Sequence, residues 1–470
     1  MTLSVQTAFD EGGTTAETRR FPPGFLWGAA TAAYQVEGST AADGRTPSIW
    51  DTFSAMPGRV AGGDTGEPAA DHYRRMPQDV ALMRELGLGA YRFSLSWPRV
   101  RPDGGPENPA GLDFYDRLVD ELLAAGITPV ATLYHWDLPQ KLEDLGGWTA
   151  RGTAHRFADY AESAARRLGD RVPVWSTLNE PWCSAFLGYG TGVHAPGRTS
   201  GRDALAAAHH LLLAHGLGMQ ALRAHAPSAA SGITVNLYPV FAADPESAAD
   251  QDAARRIDGL QNRLFLDPVL RGRYPEDVLA DVAEYGMAEH IQDGDLAVIS
   301  APVDFVGVNF YRDWCVSAVD TGDFDPGWPG SERVTFRSRG LPVTASGWEV
   351  RAAGLTECLV EADRRYPGMA WYVNENGAAY DDTLVDGTVD DAERLAYLRD
   401  HVVAAHAAIE AGVDLRGYFY WSFLDNFEWA HGYAHRFGLV HVDYATQTRT
   451  PKSSARWYSR LARANAVPER

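Results

Sequence analysis

The chain has few cysteines and few basic residues, and both shortages exclude classes of protein. It carries three cysteines in 470 residues, Cys183, Cys315 and Cys358, an odd number at wide spacing. This pattern is typical neither of a disulfide framework nor of a zinc motif, and it predicts reduced thiols. The 42 lysines and arginines are outnumbered by 62 aspartates and glutamates, which gives a net charge of −20. Such an acidic chain disfavours nucleic acid and anionic membranes as partners.

Long apolar runs are also missing. No segment stays apolar over the roughly 20 residues that a membrane-spanning helix needs. Residues 1–20 are polar and lack the apolar centre of a secretory signal, so we predict a disordered leader there and a cytoplasmic location. The remaining composition, 45% hydrophobic and 22% charged, is that of an ordinary globular protein.

From Phe21 onward, strand-like runs alternate with amphipathic helical segments. Period-two or continuous apolar runs predict strands at 25–31, 90–96, 127–135, 174–179, 232–240, 304–311, 370–374 and 417–423. Helical periodicity predicts helices at 72–86, 113–125, 154–168, 204–223, 248–265, 352–365 and 392–411. Alternating strands and helices predict an α/β fold with a parallel sheet, and eight strands fit a single closed (β/α)8 TIM barrel. We place this barrel at 21–460, with a tail at 461–470.

Two glutamates stand at the ends of predicted strands. Glu180 lies in the sequence TLNEP (177–181) after the fourth strand, and Glu375 lies in YVNENG (372–377) after the seventh. In a (β/α)8 barrel the C-terminal ends of the strands carry the active site. The neighbouring asparagines supply amide hydrogen bonds, which a positioned carboxylate needs and a solvated one does not. We therefore interpret these glutamates as a catalytic pair rather than as two surface residues.

The other strand ends carry aromatic and hydrogen-bonding side chains. Such a rim fits a sugar, because apolar ring faces stack on indoles while hydroxyls need amide, imidazole and carboxylate partners. Taken singly, Trp421 would more often be a core aromatic and His135 a structural histidine; their shared end of the barrel favours ligand binding. Arg92 lies on the second strand, where an arginine is unusual unless it is paired, so we expect a carboxylate partner for it.

Together these motifs resemble glycoside hydrolase family 1, the β-glucosidase family. The resemblance rests on segments 21–38, 134–139, 177–182, 372–377 and 420–429, and it extends from about residue 21 to residue 458. It implies a retaining β-glucosidase with Glu180 as acid/base and Glu375 as nucleophile, acting on β-glucosides and cello-oligosaccharides without a cofactor or metal. A role in carbohydrate metabolism and cellulose degradation would follow.

The resemblance also implies roles for the rim. Arg92, Asn309 and Tyr311 would surround the nucleophile, Trp348 would line the aglycone side, and a glycone subsite would include Gln35, His135, Asn179, Trp421, Glu428 and Trp429. At Arg351 the sequence departs from the family's usual Tyr-Pro, which leaves the aglycone preference open.

A retaining mechanism sets requirements for the two glutamates, and the same residues bear on the alternative functions. The two carboxyls must lie about 5–5.5 Å apart, with Arg92 favouring an ionised Glu375 and Glu180 keeping its proton. Glucose, galactose and fucose all remain possible glycones. A 6-phospho-β-glycosidase is disfavoured, because an anionic Glu428 would repel phosphate. A non-catalytic sugar-binding relative is disfavoured because both glutamates are present.

Overall fold

A computed structural model of the chain describes residues 19–468. Nearly all of the predicted leader, and the last two residues of the predicted tail, lie outside the described residues. At the C-terminus the last helix continues to Ala464, and Ala466 pairs with Arg20 in an isolated bridge. The boundary expected at 460 therefore falls inside a helix that packs on the barrel.

Eight parallel strands form a closed barrel in which neighbours in space are also neighbours along the chain, and the first strand pairs with the last. This confirms the predicted (β/α)8 fold. The strands are β1 (Leu26–Ala30), β2 (Ala90–Ser94), β3 (Thr128–Tyr134), β4 (Val174–Asn179), β5 (Ala230–Asn236), β6 (Phe305–Asn309), β7 (Ala370–Asn376) and β8 (Leu415–Trp421).

The principal helices surround this barrel. They are α1 (His72–Glu85), α2 (Pro109–Ala124), α3 (Gly152–Leu168), α4 (Gly201–His225), α5 (Ala248–Asp258), α6 (Ala353–Arg365), α7 (Ala392–Glu410) and α8 (Ser453–Ala464). Shorter helices lie at Ala33–Val36, Ile49–Ser54, Trp97–Val100, Gln140–Glu143, Leu264–Arg271, Glu276–Asp281 and Asp295–Ile299. None of the helices within residues 19–468 combines the length and the apolar character needed to cross a membrane.

Local sequence explains several helix starts. The Ser200 side chain accepts a hydrogen bond from the Asp203 amide at the start of α4, and Ser247 does the same for Asp250 at the start of α5. Pro109 opens α2, at a position where the missing N–H is not needed. These residues fix where the helices begin after the loops that follow β2, β4 and β5.

Two predicted elements differ from those observed. The fifth strand ends at Asn236 rather than at residue 240, because Pro239 cannot donate to a sheet ladder. Beyond this proline, Val240–Ala242 pairs with Trp314–Ser317 in a small separate sheet. The helix predicted at 248–265 passes through a π-helical turn at Gly259–Arg263 and continues to Arg271. The chain therefore leaves the barrel above β5 and builds a wall beside the rim.

Candidate active site

Both glutamates stand where strand pairing becomes irregular. Glu180 follows β4, and Glu375 is the penultimate residue of β7. The β4–β5 register shifts between Ser176 and Asn179, and the β6–β7 register shifts between Val373 and Glu375. Irregularities of this kind bend a strand and re-aim its side chains. They bring two carboxylates from distant parts of the sequence together at the C-terminal end of the barrel.

The backbone at the rim adopts unusual conformations. Glu180 has φ +47°, and Trp136 and Trp429 also have positive φ, a region that costs a non-glycine residue about 1–3 kcal/mol. The Glu180 amide is held by a 2.9 Å hydrogen bond to the Thr234 carbonyl. At Gly377 a Cβ would lie 1.7 Å from the Trp421 carbonyl oxygen, so only glycine allows β7 and β8 to approach this closely after Glu375.

Glu375 is buried and is held by two donors. Arg92 Nη1 lies 2.6 Å from Glu375 Oε1, and the Tyr311 hydroxyl donates to Oε2 at 2.8 Å. Arg92 is itself 1% exposed, and its Nη2 donates to Asn179 Oδ1 at 2.7 Å. The arginine on the second strand thus has the carboxylate partner that its position leads one to expect.

Glu180 is equally buried, but its hydrogen-bond donors are neutral. Asn309 Nδ2 donates to Oε1 at 2.6 Å, and Cys183 Sγ donates to Oε2 at 3.0 Å. No lysine or arginine within residues 19–468 forms an ion pair with it. Asn309 also donates to Asn179 Oδ1 at 3.0 Å, so one continuous hydrogen-bond network joins Glu180 to Arg92 and through it to the other carboxylate.

This asymmetry separates the two carboxyls electrostatically. Burial raises the pKa of Glu375, while the Arg92 guanidinium and the Tyr311 hydroxyl oppose that rise. Burial and the negative charge of Glu375 raise the pKa of Glu180 to about 7. Because the guanidinium contacts Glu375 directly, the member of the pair that ionises first is Glu375, and Glu180 keeps its proton until the pH approaches 7.

Polar side chains that follow β1 and β3, together with Asn179 at the end of β4, lie beside the two glutamates. Gln35 Nε2 donates to Asn426 Oδ1 and to the Phe427 carbonyl, at 3.0 and 2.9 Å. The Asn179 oxygen already accepts two hydrogen bonds, so its amide nitrogen donates to His135 Nε2 at 3.1 Å. Burial lowers the pKa of His135 well below its usual range, which keeps the imidazole neutral.

Three polar atoms of this region lack a hydrogen-bond partner among residues 19–468. They are Gln35 Oε1, His135 Nδ1 and Asn309 Oδ1, and all three are buried. Buried polar groups in proteins are normally paired, so unpaired ones gathered in one cavity need an explanation. Two acceptors and one donor in this region match the hydrogen-bonding capacity of sugar hydroxyls.

Aromatic rings form the walls. The His135 ring lies nearly parallel to Trp421 and Trp429, with centroids 5.6 and 5.9 Å away. Trp429 in turn packs 4.6 Å from Trp136. Trp348 is half-buried, and its ring lies 5.4 Å from that of Tyr311, the donor to Glu375. Trp348 is therefore at the edge of the cavity and not in the barrel core.

Glu428 differs from the sequence-based expectation in its charge. It follows β8, is half-buried, and accepts a 3.4 Å hydrogen bond from Gln35. Burial is the main cause that raises its pKa to about 8; the negative charge of Glu375 adds to this, and so does that of Glu180 once Glu180 has lost its proton. It is therefore mainly protonated at neutral pH. Repulsion of a phosphate by an anionic Glu428 is therefore not the reason to disfavour a phosphorylated substrate. The reason is that no lysine or arginine within residues 19–468 forms an ion pair with Glu428.

Sequence reasoning missed several residues of the site. The sequence predicts only a reduced thiol for Cys183, yet this thiol donates a hydrogen bond to Glu180. Trp136 Nε1 donates to the Asn179 carbonyl at 2.9 Å, and Asn426 holds Gln35. Arg312 was overlooked although it directly follows Tyr311 at a strand end, where any charged residue is a signal worth following.

Arg351, the departure noted in the sequence, has a structural role at the start of α6. Its Nε lies 2.5 Å from Asp313 Oδ2, and its guanidinium also pairs with Glu357. These ion pairs with Asp313 and Glu357 compensate the charge of Arg351. Among residues 19–468 there is no group of three or more His, Cys, Asp or Glu side chains arranged to hold a metal ion.

The chain is similar to known proteins over nearly its full length. The sequence model described as Glycosyl hydrolase family 1 matches residues 17–467. The chain is 52% identical to a thermostable β-glucosidase B of Thermobispora bispora, with 95% of this chain and 91% of that protein covered. It is 48% identical to a bifunctional β-D-glucosidase/β-D-fucosidase of Bifidobacterium breve, with coverages of 94% and 98%.

Solved structures give the same result. The psychrophilic β-glucosidase of Micrococcus antarcticus superposes with a TM-score of 0.93 at 52% identity, covering 95% of this chain and 98% of that one. A family 1 β-glucosidase of Thermotoga maritima superposes with a TM-score of 0.91 at 45% identity, covering 96% and 100%. The Thermotoga enzyme has also been solved in complex with deoxynojirimycin.

Proposed function

Because the chain belongs to glycosyl hydrolase family 1, we propose that it is a retaining β-glucosidase that removes terminal non-reducing β-D-glucosyl residues. The substrates are aryl and alkyl β-glucosides and cello-oligosaccharides. The observation that carries the proposal is a pair of buried carboxylates in one hydrogen-bond network, of which only Glu375 contacts a cation. Retaining glycosidases need such a pair, one carboxyl ionised and the other protonated.

In the first step Glu375 is the nucleophile. Its Oε attacks the anomeric carbon, the bond from that carbon to the leaving oxygen breaks, and the Glu180 proton moves to this oxygen. Arg92 and Tyr311 hold Glu375 ionised and oriented before the attack. Because the attack places Glu375 opposite the leaving group, the sugar is inverted once and is left as a covalent glycosyl-enzyme.

In the second step Glu180 acts as a base. Esterification removes the negative charge of Glu375, which is one of the causes that raise the pKa of Glu180 to about 7. The pKa of Glu180 therefore falls after the first step, and its carboxylate accepts a proton from water as that water attacks the anomeric carbon. The second inversion restores the β configuration, frees Glu375 and returns the proton to Glu180.

The remaining rim residues form the sugar subsites in this proposal. Gln35, His135 and Asn179 bind glycone hydroxyls, as the unpaired Gln35 Oε1 and His135 Nδ1 support. Glu428 and Trp429 contact hydroxyls on the far side of the ring, and Trp421 provides an apolar face. Asn309 bridges the pair, and Trp348 lines the aglycone side.

A second glycone is supported by one comparison. The Bifidobacterium breve relative is named as a β-D-glucosidase and a β-D-fucosidase. D-Fucose lacks the 6-hydroxyl of D-galactose and carries its 4-hydroxyl in the axial orientation, so acceptance of both sugars requires a subsite tolerant at positions 4 and 6. β-Fucosidase activity, and with it β-galactosidase activity, is the second candidate here. A cytoplasmic location and a role in cellulose degradation belong to the same proposal.

The test is exchange of the nucleophile with chemical rescue. Glu375→Gly should abolish hydrolysis of 4-nitrophenyl β-D-glucoside, and added azide should restore turnover with α-glucosyl azide as product. Glu107→Gly, a change at an exposed loop residue, is the matched control and should retain hydrolysis. A β-azide product, or undiminished hydrolysis by Glu375→Gly, would contradict the assignment. Kinetics on the β-glucoside, β-galactoside, β-fucoside and cellobiose then rank the glycones.

A further inference from the structure

One cation beside the cavity is left without a counter-ion. Arg312 directly follows Tyr311, beyond the end of β6, and is half-buried. It forms no ion pair and no side-chain hydrogen bond with any residue of 19–468, whereas Arg92 and Arg351 both contact carboxylates. Burying a charge is costly unless a partner compensates it.

The contacts of Arg312 are aromatic. Its guanidinium carbon lies 3.8 Å from the ring centroid of Trp314 and 5.2 Å from that of Trp348. Stacking on a ring engages the face of a guanidinium and leaves its N–H groups free, since these lie in the guanidinium plane. The two indoles therefore hold the guanidinium in place but accept no hydrogen bond from its N–H groups.

The surroundings place these donors on the side of the acid/base. Arg312 stacks on Trp314, whose ring lies 6.2 Å from that of Trp328, and the Trp328 ring lies 5.2 Å from that of Trp182. Trp182 is followed directly by Cys183, whose Sγ donates to Glu180 Oε2 at 3.0 Å. Burial raises the pKa of Cys183 and of the neighbouring Tyr238 well above their usual ranges, so both are neutral at physiological pH. Burial lowers the pKa of Arg312 to about 10, which leaves it charged at neutral pH.

A second donor without an acceptor lies in contact with Arg312. Trp314, which carries the guanidinium on its face, has a buried Nε1–H with no acceptor among residues 19–468. Trp182, two residues after Glu180, also has an Nε1–H with no acceptor in the described part of the chain, and both indoles pack against Trp328. The aglycone side therefore holds a surplus of donors and a positive charge, in a chain whose net charge is −20.

We propose that Arg312 binds an oxyanion carried on the aglycone, in the first place a carboxylate, and so makes the enzyme selective for acidic aglycones. The inference rests on the proposed function, because it concerns the leaving group of the same reaction. A carboxylate matches the guanidinium by accepting two parallel N–H bonds. A purely structural arginine, held by the indoles alone, would show no preference between a charged and a neutral aglycone.

The experiment compares two substrates that differ in charge and not in shape. We would measure kcat/KM for 4-carboxyphenyl and 4-carbamoylphenyl β-D-glucoside, and for the two 3-substituted isomers, with wild type and Arg312→Gln. Hydrogen bonds to charged groups correspond to roughly tenfold to hundredfold in binding, so the carboxylate-to-carboxamide ratio should fall by at least about tenfold in the variant for one or both isomers. Differences in leaving-group chemistry cancel, because the same substrates are compared between enzymes.

Two controls isolate the local effect from net charge and from misfolding. Arg333→Gln removes one positive charge at an exposed site, and its ratio should equal that of wild type. Competitive inhibition of the wild-type enzyme by 4-hydroxybenzoate should be stronger than by 4-hydroxybenzamide, a comparison that needs no variant. An unchanged ratio in Arg312→Gln for both isomers, or weaker inhibition by the benzoate, would overturn the inference. Failure of the proposed function has a different signature, since wild type would then not hydrolyse 4-nitrophenyl β-D-glucoside either.

Discussion

The hydroxyl of Tyr311 should set the acidic limit of activity. It donates to Glu375 Oε2 at 2.8 Å and so favours the ionised carboxylate that attacks the sugar. Tyr311→Phe removes this donor and keeps the ring that packs on Trp348. Because the ionised form loses stabilisation, the pKa of Glu375 rises, and the acidic limb of the pH profile moves to higher pH.

The size of the shift follows from the type of hydrogen bond. A hydrogen bond to a charged group contributes about 1.5–3 kcal/mol, and one pKa unit corresponds to about 1.4 kcal/mol. The acidic limb of kcat/KM should therefore rise by about one to two pH units. The alkaline limb, set by loss of the Glu180 proton near pH 7, should stay in place because Glu375 is already ionised there. The profile narrows from its acidic side.

The assay is kcat/KM against pH with 4-nitrophenyl β-D-glucoside, since this parameter reports the free enzyme. Tyr160→Phe is the matched control. Its hydroxyl is buried too, but it donates to the backbone carbonyls of Leu95 and Leu133, so its loss should lower stability without moving either limb. An acidic limb that stays in place or moves to lower pH, or an equal shift in Tyr160→Phe, would refute the reasoning.

Three further outcomes follow from the same contacts. Glu180→Ala should slow alkyl glucosides by about 10²–10⁴-fold more than dinitrophenyl glucosides and should remove the alkaline limb near pH 7; equal losses would exclude general acid catalysis. Glu428→Ala should lower kcat/KM for glucosides and narrow their advantage over 4-deoxy- and 6-deoxy-glucosides. In the wild-type enzyme a deoxy-glucoside leaves Glu428 without its hydrogen-bond partner, and the variant no longer has this cost. Lys452→Met should lower the free energy of unfolding in urea by about 3–5 kcal/mol, because it breaks a buried ion pair with Asp425, whereas the exposed Lys141→Met should change it little.

For the charged residues, the sequence predicted some pairings and missed others. An arginine on a buried strand is unusual unless it is paired, which predicts a carboxylate partner for Arg92, and the family resemblance places Arg92 beside the nucleophile. No such rule assigns the charge of Glu428, which was expected to be anionic. Its pKa depends on two other carboxyls that arrive from β4 and β7, and on its own burial. Arg312 was missed for the same reason, since a lack of partners is visible only once all neighbours are in place.

The sequence by itself determined the architecture and the position of the two glutamates within it. The hydrophobic pattern repeats every two residues in a strand and every 3.6 residues in a helix, so it depends only on the geometry of the local element. Eight strands that alternate with helices leave few possible topologies. The tertiary structure decided the chemistry. Closure of the barrel brings Glu180 and Glu375 into one network and places the Arg92 guanidinium on Glu375. It also leaves Arg312 without an ion-pair partner in the part of the chain that the structure describes. Charge interactions depend on distance and burial in three dimensions, and neither quantity is written in the spacing of residues along the chain.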